Sequence, residues 1–194
     1  MNIEMKLIRI ARCLVLMAML TMAVFAAAQV ETIDATARGT STQLGRTITI
    51  KVIVSQFSTP EDREALKAAF QKGGNQALVD ALSKMKGVGR IQIPGTVGYD
   101  LAYVRSIPTP TGRKIRFVTN RRIAFGEVAR DTRSQAYNLT AGEIDINDQD
   151  KGKSDGVLYP AAQLGISSEG ELQMDLLQNP WQLTNIIDWK PKGE

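Results

Sequence analysis

Thr47-Ile48-Thr49-Ile50-Lys51-Val52-Ile53-Val54, followed four residues later by Thr59-Pro60-Glu61-Asp62, is the stretch on which the fold class turns. Ile48, Ile50, Val52 and Val54 alternate with Thr47, Thr49 and Lys51, the period of two that gives a strand one apolar face. The second element starts a helix. Thr59 suits the N-cap, Pro60 the first helical position, and Glu61 and Asp62 the first turn, where carboxylates meet the positive end of the helix dipole. Leu66, Ala69 and Phe70 then share a helical face, Gly73 and Gly74 interrupt it, and Asn75 can cap a second helix striped by Leu78, Val79, Leu82 and Met85. The pattern predicts a helical hairpin over about residues 59–86.

Beyond Gly87 and Gly89 the helical period disappears. Short β-type runs recur at Arg90 to Ile93, Tyr99 to Arg105, Arg113 to Thr119, Arg122 to Phe125, Tyr137 to Ile146, Gly156 to Leu164, Glu171 to Leu177 and Trp181 to Asp188. Turn signals separate them at Pro110 to Gly112, Asn147 to Gly156 and Ser168 to Gly170. The expected class is α+β: a mainly antiparallel β-sheet, curled into a sandwich or partial barrel, with one helical hairpin inserted after the first strand. One run carries a conflict of register. Tyr137 and Leu139 occupy odd positions whereas Ile144 and Ile146 occupy even ones, so a single buried face predicts a β-bulge or kink at or next to Gly142.

Working back to the amino end, Lys6, Arg9 and Arg12 precede an apolar and small-residue run from Leu14 to Ala28, and Gln29 follows. This is the layout of a cleavable export signal, with Ala26 and Ala28 supplying small side chains before a cut after Ala28. At 15 residues the run is shorter than the roughly 20 that cross a bilayer, so no membrane span is expected in the mature chain. Cys13, the only cysteine, lies before the run, where it cannot serve as a lipid anchor. The expected organisation is a signal at 1–28, a flexible lead-in rich in Thr, Ser, Ala and Gly at 29–45, and one β-rich domain at 46–190. An exported domain without cysteine points to a bacterial periplasm or the medium.

Composition removes whole classes of chemistry. The chain has no histidine, and loses its one cysteine with the signal, so Ser-His-Asp and Cys-His catalysis and imidazole or thiolate metal sites are excluded from the mature protein. No cofactor motif is present either. The net charge of +4 falls to +2 once Lys6, Arg9 and Arg12, against Glu4, are removed, which is no nucleic-acid signature.

Carboxylate and arginine chemistry remain. Glu143, Asp145, Asn147, Asp148, Asp150 and Asp155 invite a calcium reading, but the positions of Gln149, Gly152, Lys151 and Lys153 break the loop spacing, and a solvated turn fits better. Glu143 and Asp145, two apart on a strand and so about 6.5 to 7 Å apart on one face, have a spacing that could serve a glycosidase pair, and the clustered acids in 143–155 are the only basis for a carboxylate-dependent, glycosidase-like hydrolase. Cations crowd Arg105 to Arg133, while acids dominate Ser134 to Asp188. Cross-strand pairing between these blocks is the structural expectation. The functional alternative is that Arg121, Arg122, Arg130 and Arg133 bind an anionic ligand or an acidic partner through forked guanidinium contacts.

The order of several motifs adds a likeness. Ser58-Thr59-Pro60-Glu61-Asp62-Arg63, Gly87-Val88-Gly89-Arg90-Ile91, Val97-Gly98-Tyr99-Asp100-Leu101, Phe117-Val118-Thr119-Asn120-Arg121 and Pro180 with Leu183-Thr184-Asn185 run across most of the mature chain. In this order the chain resembles a group of exported bacterial proteins of acidobacterial type. The resemblance implies a β-rich fold with a helical insertion. No activity is attached to that group, so it transfers no catalytic or binding residue. The leading expectation is a non-enzymatic binding or interaction protein of the bacterial envelope.

Overall fold

The computed structural model describes residues 30–121, 123, 139–166, 172–175 and 180–190. The export signal at 1–28, Arg122, Arg130, Arg133, Tyr137 and most of the run from Arg122 to Phe125 lie outside the described residues. The described chain is β1 (Glu31–Arg38), β2 (Thr47–Val54), α1 (Pro60–Lys84), β3 (Gly89–Gln92), β4 (Tyr99–Thr109), β5 (Gly112–Thr119), β6 (Leu139–Asn147), β7 (Asp155–Ile166), β8 (Leu172–Asp175) and β9 (Trp181–Trp189). All strand pairings are antiparallel. Six consecutive strands run in order from β1 to β6, β7 pairs with β6 and with β9, and β9 returns to β1. The sheet therefore closes on itself as an eight-stranded barrel, which leaves no open edge in the ring. β8 pairs with the last four residues of β7 and extends that strand as a ribbon.

The first strand of the barrel lies where the sequence suggests a flexible lead-in. β1 is hydrogen-bonded on both edges, by β2 and by β9, and buries Ile33, Ala35 and Ala37. Its alternation is present in the sequence but is written in small residues. Alanine and threonine carry little hydrophobic contrast, and the barrel needs small side chains there because Ala35 faces Ile50 and Ala37 faces Leu183.

Two apolar layers result. The inner one takes side chains from every strand of the ring, among them Ile33, Val52, Ile91, Leu101, Phe117, Ile144, Leu158 and Leu183. The outer one joins Leu66, Leu78 and Leu82 of α1 to Tyr103, Val118, Leu139, Ala141 and Ala162 on the outside of β4 to β7. α1 begins as the sequence predicts. Thr59 accepts a hydrogen bond from the Asp62 amide (3.2 Å), and Asp62 accepts one from the Thr59 amide (2.8 Å). Gly73 and Gly74 (φ +62°) break the helical path, so the two halves can both lay their apolar faces on the barrel wall.

This second layer resolves the register conflict in β6, and without a kink at Gly142. β6 pairs with β5 in unbroken register from Asn147 to Ala141, straight through Gly142. Leu139 and Ala141 face the outer layer under α1, whereas Ile144 and Ile146 face the barrel interior. The strand is buried on both faces, which the assumption of one apolar face did not allow. Irregularities in register occur elsewhere: at Ala102 in β4, in β7 opposite Thr140, and at Asn185 (φ +50°) in β9. The β7 irregularity falls at Pro160, a residue that has no amide to give to a ladder.

Candidate functional site

The middle of the barrel is filled. Val104, Phe117, Gly142, Leu158 and Trp181 lie in register across β4, β5, β6, β7 and β9, all facing inward and each at most 4% exposed where a side chain is present. The Phe117 ring stands over Gly142: a methyl group there would come within 2.2 Å of Cζ. Eight-stranded barrels are just wide enough either to be filled in this way or to hold one small ligand. In this barrel the two ends differ.

One end is closed by charge. Arg113 shares the inward parity of Ile115 and Phe117, Glu31 that of Ile33, and Asp188 lies opposite Ile33. Arg113 donates from Nη1 to Glu31 Oε2 (2.9 Å) and from Nη2 to Glu31 Oε1 (2.6 Å) and Asp188 Oδ2 (2.7 Å). Burial is the larger influence on Glu31 and holds its carboxyl above the usual range, against the pull of the Arg113 fork. Burial also works against the charge on Arg113, but its bonds to Glu31 and Asp188 outweigh it and hold the proton more tightly than usual.

At the other end the described residues leave a cavity. There β2, β3, the β3–β4 connection, the start of β4 and the segment after β5 meet around a cavity of about 380 Å³, lined by Ile50, Ile91, Ile93, Tyr99, Ile123, Arg121, Gln92, Thr96 and Gly98. Its size lies at the small end of ligand pockets, which run from roughly 300 to 1,000 Å³. Ile50, Ile91 and Ile123 form an apolar floor, each at most 4% exposed. The Arg121 guanidinium sits over the Tyr99 ring, 5.2 Å from its centre, within reach of a cation–π attraction.

Arg121 and Ile123 belong to no strand, and two buried threonines hold them in place. Thr119 Oγ1 donates to the Arg121 carbonyl and accepts from the Thr140 amide (2.9 Å). Thr140 Oγ1 accepts from the Ile123 amide (2.8 Å) and donates to the Pro160 carbonyl (2.7 Å), which the β7 irregularity leaves available. Both threonines are fully buried. The irregularity in β7 thus serves the mouth of the barrel: it turns a carbonyl toward the hydroxyl that anchors Ile123.

Of the sequence-predicted anion-binding residues, Arg121 lies in this cavity; Arg122, Arg130 and Arg133 lie outside the described residues. The acids lie elsewhere. Glu143 and Asp145 are on the outer wall of β6, directly across from Arg116 and Lys114 of β5. Glu143 is bonded to Lys114 and to Arg116 Nε (2.6 Å), and Asp145 pairs with Lys114 at 3.4 Å. Burial alone would raise the Glu143 carboxyl, but these two cations outweigh it and hold it below the usual range. The expected cross-strand pairing of the charge blocks is realised here. Asp148 and Asp150 lie in the β6–β7 turn. Asn147 Oδ1 accepts from the Gln149 and Asp150 amides (3.0 and 2.8 Å), and Asp150 Oδ1 accepts from the Gly152 amide (3.1 Å). Among the described residues no group of three or more acids, histidines or cysteines is placed to hold a metal ion. Nor is any described helix long and apolar enough to cross a membrane.

Sequence reasoning missed the apolar half of the cavity. Ile50 and Ile91 read as ordinary strand residues, and nothing in the local pattern marks them as the floor of a mouth. No protein-family model, curated protein or solved structure matches the chain.

Proposed function

We propose that the chain is an exported, non-enzymatic binding protein that holds one small, largely apolar molecule in the open mouth of its barrel. The observation that carries this reading is the contrast between the two ends: one sealed by an ion triad, the other opening onto an apolar floor. A preformed concave site with an apolar lining and few convergent polar groups is the usual form of a small-molecule site. Glu143 and Asp145, the pair offered for hydrolysis, are engaged with Lys114 and Arg116 on the outer wall, which supports binding over carboxylate catalysis. The signal-like amino end supports export, and mass spectrometry of protein from its native host should show a mature chain that begins at Gln29.

The test uses N-phenylnaphthylamine, an uncharged dye that brightens in apolar sites. Wild-type protein is expected to give saturable brightening at one dye per chain. Ile93→Trp, which fills the cavity from its partly exposed rim, should lose it while circular dichroism stays unchanged. Equal dye binding by both folded proteins would overturn the reading.

A further inference from the structure

Resting on the binding reading above, we infer that the molecule held in the mouth is an organic anion: a single carboxylate-type head on a compact apolar body, the head on Arg121 and the body on the isoleucine floor. Three observations lead there. The first is that the cavity contains one cation and no carboxylate. Arg121 has no acidic partner among the described residues, and its face is already occupied by Tyr99. A stacked guanidinium keeps its edge donors for a planar, two-oxygen acceptor, the geometry of a carboxylate.

Secondly, the described connections at this end carry cations and no acid. Arg38 ends β1 and Arg46 precedes β2, both exposed at the same end of the barrel, where they line a neighbouring hollow with Gln182 and Thr184. The described connections there, residues 39–46, 93–98, 120–121 and 123, contain no aspartate or glutamate. The nearest carboxylate along the chain, Asp100, is held by Arg90 at 2.9 Å. The opposite end of the barrel mixes both signs, with Glu31, Asp148, Asp150 and Asp188 beside Arg113, Lys153 and Lys190. An excess of one charge beside a concave site draws an ion of the other sign toward it.

The third observation is the polar inventory. Thr96 spends its hydroxyl proton on the Ile93 carbonyl (2.8 Å), which leaves Arg121 as the one charged donor of the lining, beside the neutral Tyr99 hydroxyl and Gln92 amide. One charged fork fits one anionic head group. The volume of about 380 Å³ leaves room for a short chain or a small ring system and not for a polymer.

Displacement of N-phenylnaphthylamine by three decyl compounds below their micelle concentrations tests the inference: decanoate, decanol and decyltrimethylammonium. Decanoate is expected to compete about tenfold or more better than decanol, and the ammonium compound worst. Arg121→Gln should bring decanoate to the level of decanol and leave decanol unchanged; Arg121→Lys should recover part of the difference. If decanoate and decanol compete equally in the wild type, or if Arg121→Gln leaves their ratio intact, the anionic head is wrong while the cavity still binds. If none of the three displaces the dye, or the dye itself ignores Ile93→Trp, the binding reading has failed.

Discussion

Gly142→Ala tests the inside of the barrel. The added methyl group points into the Phe117 ring, 2.2 Å from Cζ and 2.8 Å from both Cε atoms, and Phe117 is 0% exposed with Val104 beside it and Leu158 across from Gly142. Overpacking of this kind costs about 1–3 kcal/mol, and the lower entropy of the unfolded alanine chain returns about 0.4–1 kcal/mol. The net expectation is a loss of about 1–2 kcal/mol, read as a lower urea midpoint at constant m. The sign is diagnostic, because alanine in place of a strand glycine without such a neighbour stabilises by about 0.5–1 kcal/mol. Phe117→Leu alone should cost about 1–2 kcal/mol for the space it leaves. In the double variant that space receives the new methyl, so the two losses should fall short of additivity by about 1 kcal/mol or more. Strict additivity, or a stabilised Gly142→Ala, would refute the inward row of Val104, Phe117, Gly142, Leu158 and Trp181.

Thr140→Val keeps the shape but strands the Ile123 amide and the Pro160 carbonyl; about 2 kcal/mol should be lost, with much faster hydrogen exchange at the Ile123 amide, and unchanged exchange would remove the latch from the account. Arg113→Leu leaves two carboxylates buried at the closed end and should cost about 3 kcal/mol at neutral pH in a denaturant titration, a cost that shrinks in mild acid as Glu31 takes up a proton; a loss that ignores pH would contradict the triad. The two perturbed acids act in opposite directions on the stability of the wild type. Glu31 binds its proton more tightly in the fold than in the unfolded chain, so its contribution is complete below the ordinary carboxyl value of 4.5 and is lost as pH rises through the folded value. Glu143 is held below 4.5, so its contribution is present above that value and is lost as pH falls through the folded value. Glu31→Gln should therefore flatten the decline on the neutral side and leave the acid limb, while Glu143→Gln should do the reverse.

What could be read in the sequence is what rests on contrast between neighbours. The alternation of Ile48 to Val54, the Thr59-Pro60-Glu61-Asp62 helix start and the Gly73-Gly74 break are local signals, and the structure follows them. β1 was hidden because Ala35, Thr36 and Ala37 differ too little in hydrophobicity to show a period, although their burial alternates. The parity change in β6 was visible, but its cause was not: a strand buried on both faces by a helix more than 50 residues earlier in the chain looks the same as a kinked one. Closure of the ring depends on β9 meeting β1 and β7 meeting β6, pairings between distant segments that no local pattern encodes. The same distance hid the mouth. Arg121 could be singled out by its charge, whereas Tyr99, Ile50 and Ile91 become a site only when β2, β3, β4 and the segment after β5 come together.

The mouth itself is tested most directly by mapping where N-phenylnaphthylamine perturbs the backbone amide spectrum of the isotope-labelled protein. Shifts should gather at Gln92, Ile93, Thr96, Gly98, Tyr99, Arg121 and Ile123, and leave Glu143 to Asp155 in place. Shifts gathered on the outer wall of β5 and β6, or along α1, would contradict a binding site at the open end of the barrel.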